Sequence, residues 1–143
     1  MQTVPIASDH AGYELKKTLI ASLQEEFAFD DLGAYSDASV DYPDFAHKEA
    51  KLIADKTYEK GILICGSGNG IAMTANKHKG VRAALCWNAE IAQLSRLHND
   101  ANILVLPGRF IDLEQAKNCV KTFFSTDFEG GRHANRVAKI DIS

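Results

Sequence analysis

The sequence predicts an α/β domain, a parallel β-sheet with helices packed on both faces. Two observations carry this. Short apolar runs alternate with amphipathic stretches along all 143 residues, the pattern of repeated strand–helix units. Two of those runs, Gly61-Ile62-Leu63-Ile64-Cys65 and Asn102-Ile103-Leu104-Val105-Leu106, are apolar without alternation, as strands buried on both faces should be. Helices between successive strands imply right-handed crossovers and parallel neighbours. The length fits one domain, residues 1–143, and leaves no room for two.

Each element has its own signature. Val4 to Ser8 reads as a first strand, with Pro5, which lacks a ladder donor, at its start. Leu15, Leu19, Leu23 and Phe27 recur every four residues and predict a helix with one buried face. Glu14, Lys16, Lys17, Gln24 and Glu25 fall on its solvent side. Phe27 to Leu32 alternates weakly, as in a second strand at a sheet edge, and the Gly-, Ser-, Asp- and Pro-rich residues 33–43 form a loop. A helix is expected from about Phe45 to Tyr58, then the strand Gly61–Cys65, a glycine-rich turn and a helix through Lys77. Val81 to Cys86 is the next strand and Glu90 to Leu97 the next helix. The strand Asn102–Leu106 is stopped by Pro107-Gly108. Asp112 is the expected N-cap of a helix carrying Leu113, Ala116, Val120, Phe123 and Phe124. A short basic helix from Arg132 to Lys139 closes the chain.

Composition narrows the function classes. Sixteen basic residues against nineteen acidic ones give a formal charge of −3. That balance argues against a binder of nucleic acid or of anionic membrane, either of which needs a net basic face. No apolar run approaches the roughly 18 residues of a spanning helix. The start of the chain shows no basic segment or cleavage site of a secretory leader, so a cytoplasmic protein is expected. Cys65, Cys86 and Cys119 are widely spaced with no C-x-x-C pair, so neither a disulfide framework nor a zinc centre is expected.

In parallel sheets of this kind ligands sit beyond the carboxyl ends of the strands. Those ends are Asp9-His10, Cys65 through Gly70, Trp87-Asn88 and Gly108-Arg109. Cys65-Gly66-Ser67-Gly68-Asn69-Gly70 is the sharpest motif, because its glycines let backbone N–H groups approach an anion or oxyanion. A tight strand-to-helix turn without a ligand explains the same glycines. A Walker loop would need Gly-Lys-Ser/Thr after the motif, but Ile71-Ala72 follows Gly70. Ile71 also stands where a dinucleotide fingerprint needs its third glycine and where a cysteine-phosphatase loop needs arginine.

Cys65 is either a small buried hydrophobe or, at a strand end before a helix N-terminus, a thiolate former. Ser67 suits a substrate oxygen or a helix cap. Asp9-His10 pairs a carboxylate with a group that titrates near neutrality, or is an N-cap beside a surface histidine. His98-Asn99-Asp100 follows a helix and is equally a C-terminal cap. His47 and His78 lie in charged helical surroundings and are expected to be solvated. Cys86 and Cys119 are expected to be structural. Arg132 and Arg136 share a helix face near His133, and Arg109 follows a strand; together they suit either a phosphate clamp or a solvated basic tail. The set as a whole fits a small phosphorylated substrate undergoing proton transfer. Aldose–ketose isomerisation needs a base, donors for an enediolate and an acid–base group to open the ring.

Six motifs, in order, carry a resemblance to a known family. They are Ser8-Asp9-His10-Ala11-Gly12, Asp41-Tyr42-Pro43, Ile64 through Gly70, Ala75-Asn76-Lys77, Leu94 through Asn102, and Glu129-Gly130-Gly131-Arg132-His133. Over nearly its whole length the chain resembles the type B ribose-5-phosphate isomerases, a family that includes isomerases of hexose 6-phosphates. The resemblance implies a Rossmann-like three-layer α/β/α sandwich with a five-stranded parallel sheet. It implies a cytoplasmic homodimer, or a dimer of such dimers, with sites at the subunit interface and no cofactor or metal. It implies conversion of ribose 5-phosphate to ribulose 5-phosphate in the non-oxidative pentose phosphate pathway. The alternatives are a hexose 6-phosphate (allose or galactose 6-phosphate) isomerase and, from another class, a non-catalytic phosphate-binding module.

By analogy with the family, Cys65 is the base that moves the proton between C1 and C2. His98 is the ring-opening acid and Asp9 assists at the sugar hydroxyls. Ser67 with Gly66, Gly68, Asn69 and Gly70 would hold the enediolate oxygens, and Asn99 would contact the sugar. His10, Arg109, Arg132 and Arg136 would surround the phosphate, and residues from His98 to Arg109 would reach the neighbouring subunit's site. Some members carry a glutamate base just after the glycine loop. Ile71 stands there, although Ser67 and Asn69 resemble that glutamate branch, so Cys65 must serve.

Overall fold

A computed structural model describes residues 1–142. The strands are β1 (Gln2–Ser8), β2 (Phe27–Asp31), β3 (Gly61–Cys65), β4 (Ala83–Leu85) and β5 (Ile103–Pro107). The helices are α1 (Tyr13–Leu23), α2 (Tyr42–Ala54), α3 (Asn69–Ala75), α4 (Ala89–Leu97), α5 (Leu113–Ser125) and α6 (Arg132–Ala138). All four strand pairings are parallel, in the order β2-β1-β3-β5-β4. No helix among the described residues is long and apolar enough to cross a membrane.

Alternation along the strands sorts the side chains into two layers. Val4, Ile6, Ile62, Ile64, Leu104 and Leu106 face α1, α4 and α5, where they meet Leu19, Leu23, Ala92, Ala116, Val120 and Phe123. Ala7, Leu63, Cys65, Ile103 and Val105 face α2 and α3, where they meet Ala46, Ala50, Ile53, Ile71 and Ala75. The two-sided burial read from the apolar runs is therefore the three-layer arrangement itself.

The chain leaves β1 toward β2 on one side and returns to β3 on the other, a switch point that opens a crevice at the carboxyl ends. Gly12 allows the close crossing there, since a methyl group on it would lie 2.6 Å from the Ile64 carbonyl oxygen.

Several expectations are corrected. Phe27 begins β2 instead of extending the apolar face of α1, whose helix ends at Leu23. α2 starts and ends earlier than the expected Phe45–Tyr58, because Asp41-Tyr42-Pro43 places proline in the first turn, where its missing N–H is harmless. β4 is only Ala83–Leu85, since the backbone at Arg82 and Ala83 is held by the Asn102 and Asn76 side chains. Lys16 is buried, not solvated; its ammonium bonds to Asp31 and to the Ala34 carbonyl, pinning α1 to the end of β2. Asp112 caps α5 as expected, accepting from the Gln115 N–H at 2.8 Å. Cys86 and Cys119 are buried core residues, and burial pushes their thiols up to about 12 and about 11.

Candidate active site

The register of the sheet decides which functional side chains can meet. Ser8 pairs with Ile64 and Cys65 with Pro107, so Asp9, Cys65 and Gly108 emerge together at the carboxyl end. The Asp9 N–H donates to the Ile64 carbonyl at 3.2 Å, and the Gly108 N–H to the Cys65 carbonyl at 2.8 Å. Asp9 is buried, and its Oδ1 accepts from the Gly12 N–H at 3.0 Å, fixing the carboxylate at the entry to α1. His10 Nδ1 accepts from the Val40 N–H at 3.2 Å. That bond places the neutral ring's proton on Nε2, leaving a donor for an anion.

Cys65 closes β3 and is 5% exposed, at the floor of the glycine loop. Gly68 has φ +80° and would drive a methyl group to 2.4 Å from Leu85 Cδ1, so only glycine fits there. Ser67 Oγ accepts from the Asn69 N–H at 3.2 Å, which keeps the hydroxyl proton available to another acceptor. The Arg109 N–H donates to the Gly66 carbonyl at 3.0 Å, and its guanidinium lies over Gly66 of the same chain.

The other expected residues gather elsewhere. Gly61 pairs with Ile103, and its N–H donates to the Asn102 carbonyl at 3.0 Å, so the turn His98–Asn102 lies at the amino-terminal end of β3 and β5. The four-residue advance from Gly61 to Cys65 spans about 13 Å of strand, which holds His98 and Cys65 at opposite ends of the sheet. His98 is the C-cap of α4, its N–H donating to the Leu94 carbonyl at 2.9 Å. With Asn99, His133, Arg136, Val137 and Ile140 it lines a cavity of about 290 Å³. Its ring stacks on His133 with centroids 4.3 Å apart and planes at 17°. Burial, and then the adjacent His98, hold His133 below its ordinary value, while Glu129 pulls the other way; His133 is thus neutral near pH 7. Arg132 opens α6, one residue before His133.

Donor atoms of His98, Glu129 and His133 lie within 4.8 Å of one another, close enough to hold a metal ion. The two rings face each other flat, so a shared ion would require one of them to turn. His47 and His78, expected to be solvated separately, bond to each other at 2.7 Å between Nδ1 and Nε2 and join α2 to the turn after α3.

Comparison with known proteins gives the family. The family model described as Ribose/Galactose Isomerase matches residues 4–140. The chain belongs to that family. Among its members, ribose-5-phosphate isomerase B of Escherichia coli is 41% identical over 141 residues, covering 98% of this chain and 95% of the relative. A solved ribose-5-phosphate isomerase from Thermotoga maritima is 49% identical with a TM-score of 0.95, covering 98% of this chain and 97% of that one. Another, ribose-5-phosphate isomerase B from Mycoplasma genitalium with bound ribulose-5-phosphate, is 45% identical with a TM-score of 0.90, covering 96% and 93%.

Two contacts at these places were not read from the sequence. Tyr42 covers the glycine loop, with its ring 2.5 Å from where a Gly70 methyl group would stand. The motif Asp41-Tyr42-Pro43 was the available signal, but it read as the end of a loop. His133 stacks on His98 across 35 residues of sequence, a contact that only the tertiary fold creates.

Proposed function

We propose that this protein interconverts ribose 5-phosphate and ribulose 5-phosphate as a homodimer whose active sites each combine two subunits. The reaction is an aldose–ketose isomerisation, the activity named for the E. coli relative. The observation that carries the dimer is the separation of the isomerase residues to opposite ends of one sheet. One subunit offers Asp9, His10, Cys65, the loop Gly66–Gly70 and Arg109; the other offers His98, Asn99, Arg132 and Arg136.

In this reading His98 of the partner subunit protonates the ring oxygen as the sugar opens, and Asp9 orients a sugar hydroxyl. The Cys65 thiolate removes the C2 proton and returns it to C1. Ser67 and the backbone of Gly66, Gly68, Asn69 and Gly70 donate to the enediolate oxygens, where charge develops. His10 Nε2–H, Arg109, Arg132 and Arg136 hold the phosphate, and that remote binding keeps the reacting carbons in place. Allose 6-phosphate is the competing hexose substrate.

Proton NMR of ribose 5-phosphate with the protein in D2O tests it, with allose 6-phosphate in a parallel tube. Ribulose 5-phosphate should form with deuterium entering at the exchanged carbon. Turnover of allose 6-phosphate alone would reassign the sugar, and turnover of neither by folded protein would overturn the isomerase reading.

A further inference from the structure

A second polar cavity lies at the amino-terminal end of the sheet, away from the glycine loop. It measures about 190 Å³ and is lined by Lys56, Glu59, Lys60, Arg82, Arg96, Asp100 and Asn102. Its walls follow from the fold. Lys56 ends the turn after α2, Lys60 precedes β3, Arg82 leads into β4 and Arg96 lies in the last turn of α4. The bond from Gly61 N–H to the Asn102 carbonyl draws these segments together.

The charges in this cavity do not balance. Asp100 accepts from Arg96 Nη1 at 2.9 Å and from Arg82 Nη2 at 3.3 Å, so a single carboxylate serves two guanidinium groups. Arg96 is 5% exposed, and its Nε and Nη1 are committed to Thr126, Asp100 and Ala101, while Nη2 has no bond among the described residues. The ammonium group of Lys60 has no ion-pair partner among the described residues and lies 5.8 Å from the Phe124 ring centroid. Burial, and then repulsion from Arg96, hold Lys60 below its ordinary value, with Glu59, Asp127 and Asp100 only partly opposing. Four cationic side chains therefore face two carboxylates across the cavity, with donors left over. Packing does not require that excess, since gathering like charges in a half-buried space is unfavourable unless an anion neutralises them.

We infer that this cavity is an anion site for a phosphate-type dianion, free or as a monoester, held by Lys56, Lys60, Arg82 and Arg96. Guanidinium and ammonium donors from four segments of chain suit the several oxygens of such a group. A divalent cation would meet the opposite field. The site is separate from the phosphate contacts of the isomerase reading and stands whether or not that reading holds.

Titration of the full-length 15N-labelled protein with inorganic phosphate, at constant ionic strength against chloride, resolves the two regions by NMR. Amide signals of Lys56, Lys60, Gly61, Arg82 and Asn102 should shift saturably, apart from any shifts at His10 and Gly66 to Gly70. Lys60→Met should weaken the first set about tenfold or more and leave the second unchanged. Lys56→Ala serves as an independent variant should Lys60→Met misfold. Methyl phosphate in parallel distinguishes an ester from a free anion by which binds more tightly. Shifts confined to the glycine loop, shifts that never saturate, or binding unaffected in both variants would overturn the inference.

Discussion

Cys65 stands where chemistry and packing meet, at the last position of a strand buried on both faces and under a loop crowded at Gly68 and Gly70. Its replacement by alanine removes one sulfur from a nearly closed site. Cys65→Ala should therefore abolish isomerisation while thermal unfolding and phosphate binding stay close to those of the parent. Appreciable turnover by that variant would move the base elsewhere. Arg136 lines the His98 cavity from an exposed helix, so its loss should leave the fold intact. Arg136→Ala should weaken substrate binding by about 1.5–3 kcal/mol, the range for a lost charge-assisted contact, and steady-state kinetics should show it mainly in KM. An unchanged KM would return Arg136 to the solvated tail. At this scale the glycine loop and the places of Asp9 and Cys65 at the strand ends were legible from their motifs. The contacts of Tyr42 with Gly70 and of His133 with His98 were not, because the partners lie far apart in sequence.

Among the elements, α2 shows most clearly what periodicity leaves out. Glu49 lies on its inner face, wholly buried, with neither carboxylate oxygen hydrogen-bonded among the described residues. Its Oε2 stands 2.6 Å from where a Gly61 methyl group would lie, so the glycine makes room for it at the foot of β3. Burial, and then the nearby Asp30 charge, hold Glu49 well above the usual carboxyl range. A carboxyl whose folded-state value is raised contributes stability fully present below its unfolded value, lost as pH rises toward the folded one. Stability should therefore fall as pH rises across that window, from the ordinary carboxyl value up to the raised folded one. Glu49→Gln should flatten the fall, with the gain in Tm over the parent growing with pH; calorimetry from pH 4 to 9 measures it. Equal pH slopes in the two proteins would show that Glu49 does not titrate on unfolding. Lys16 makes the same point on α1, where a residue placed on the solvent side by its type is drawn inward by Asp31 and Ala34. Hydrophobic spacing located these helices because apolar burial dominates their energetics; paired or protonated polar groups are the exceptions it cannot mark.

For the whole molecule, the distribution of residues over the two ends of the sheet is what the proposed dimer must join. In the proposed dimer, Cys65→Ala and His98→Asn homodimers should each be inactive. Exchanged subunits should regain about a quarter of parental activity, because in a random mixture of two-fold dimers that share of sites receives both native residues. Sedimentation should show one dimeric species throughout. Mixtures that stay inactive despite demonstrated exchange would place both residues in one subunit's site.

The amino-acid sequence by itself determined the order of strands and helices, the two-sided burial of β3 and β5, the glycine loop and the motif residues. These follow from local propensity, apolar periodicity and residue identity, all written along the chain. Only the tertiary structure decided that β5 lies between β3 and β4, that Arg109 covers its own Gly66, and that His98 stands a sheet's length from Cys65. It also buried Lys16 and Glu49 and gathered four cations around one small cavity. The physical reason is the same in each case: strand order and register set distances between residues remote in sequence, and those distances determine which charges are paired, buried or left free for a ligand.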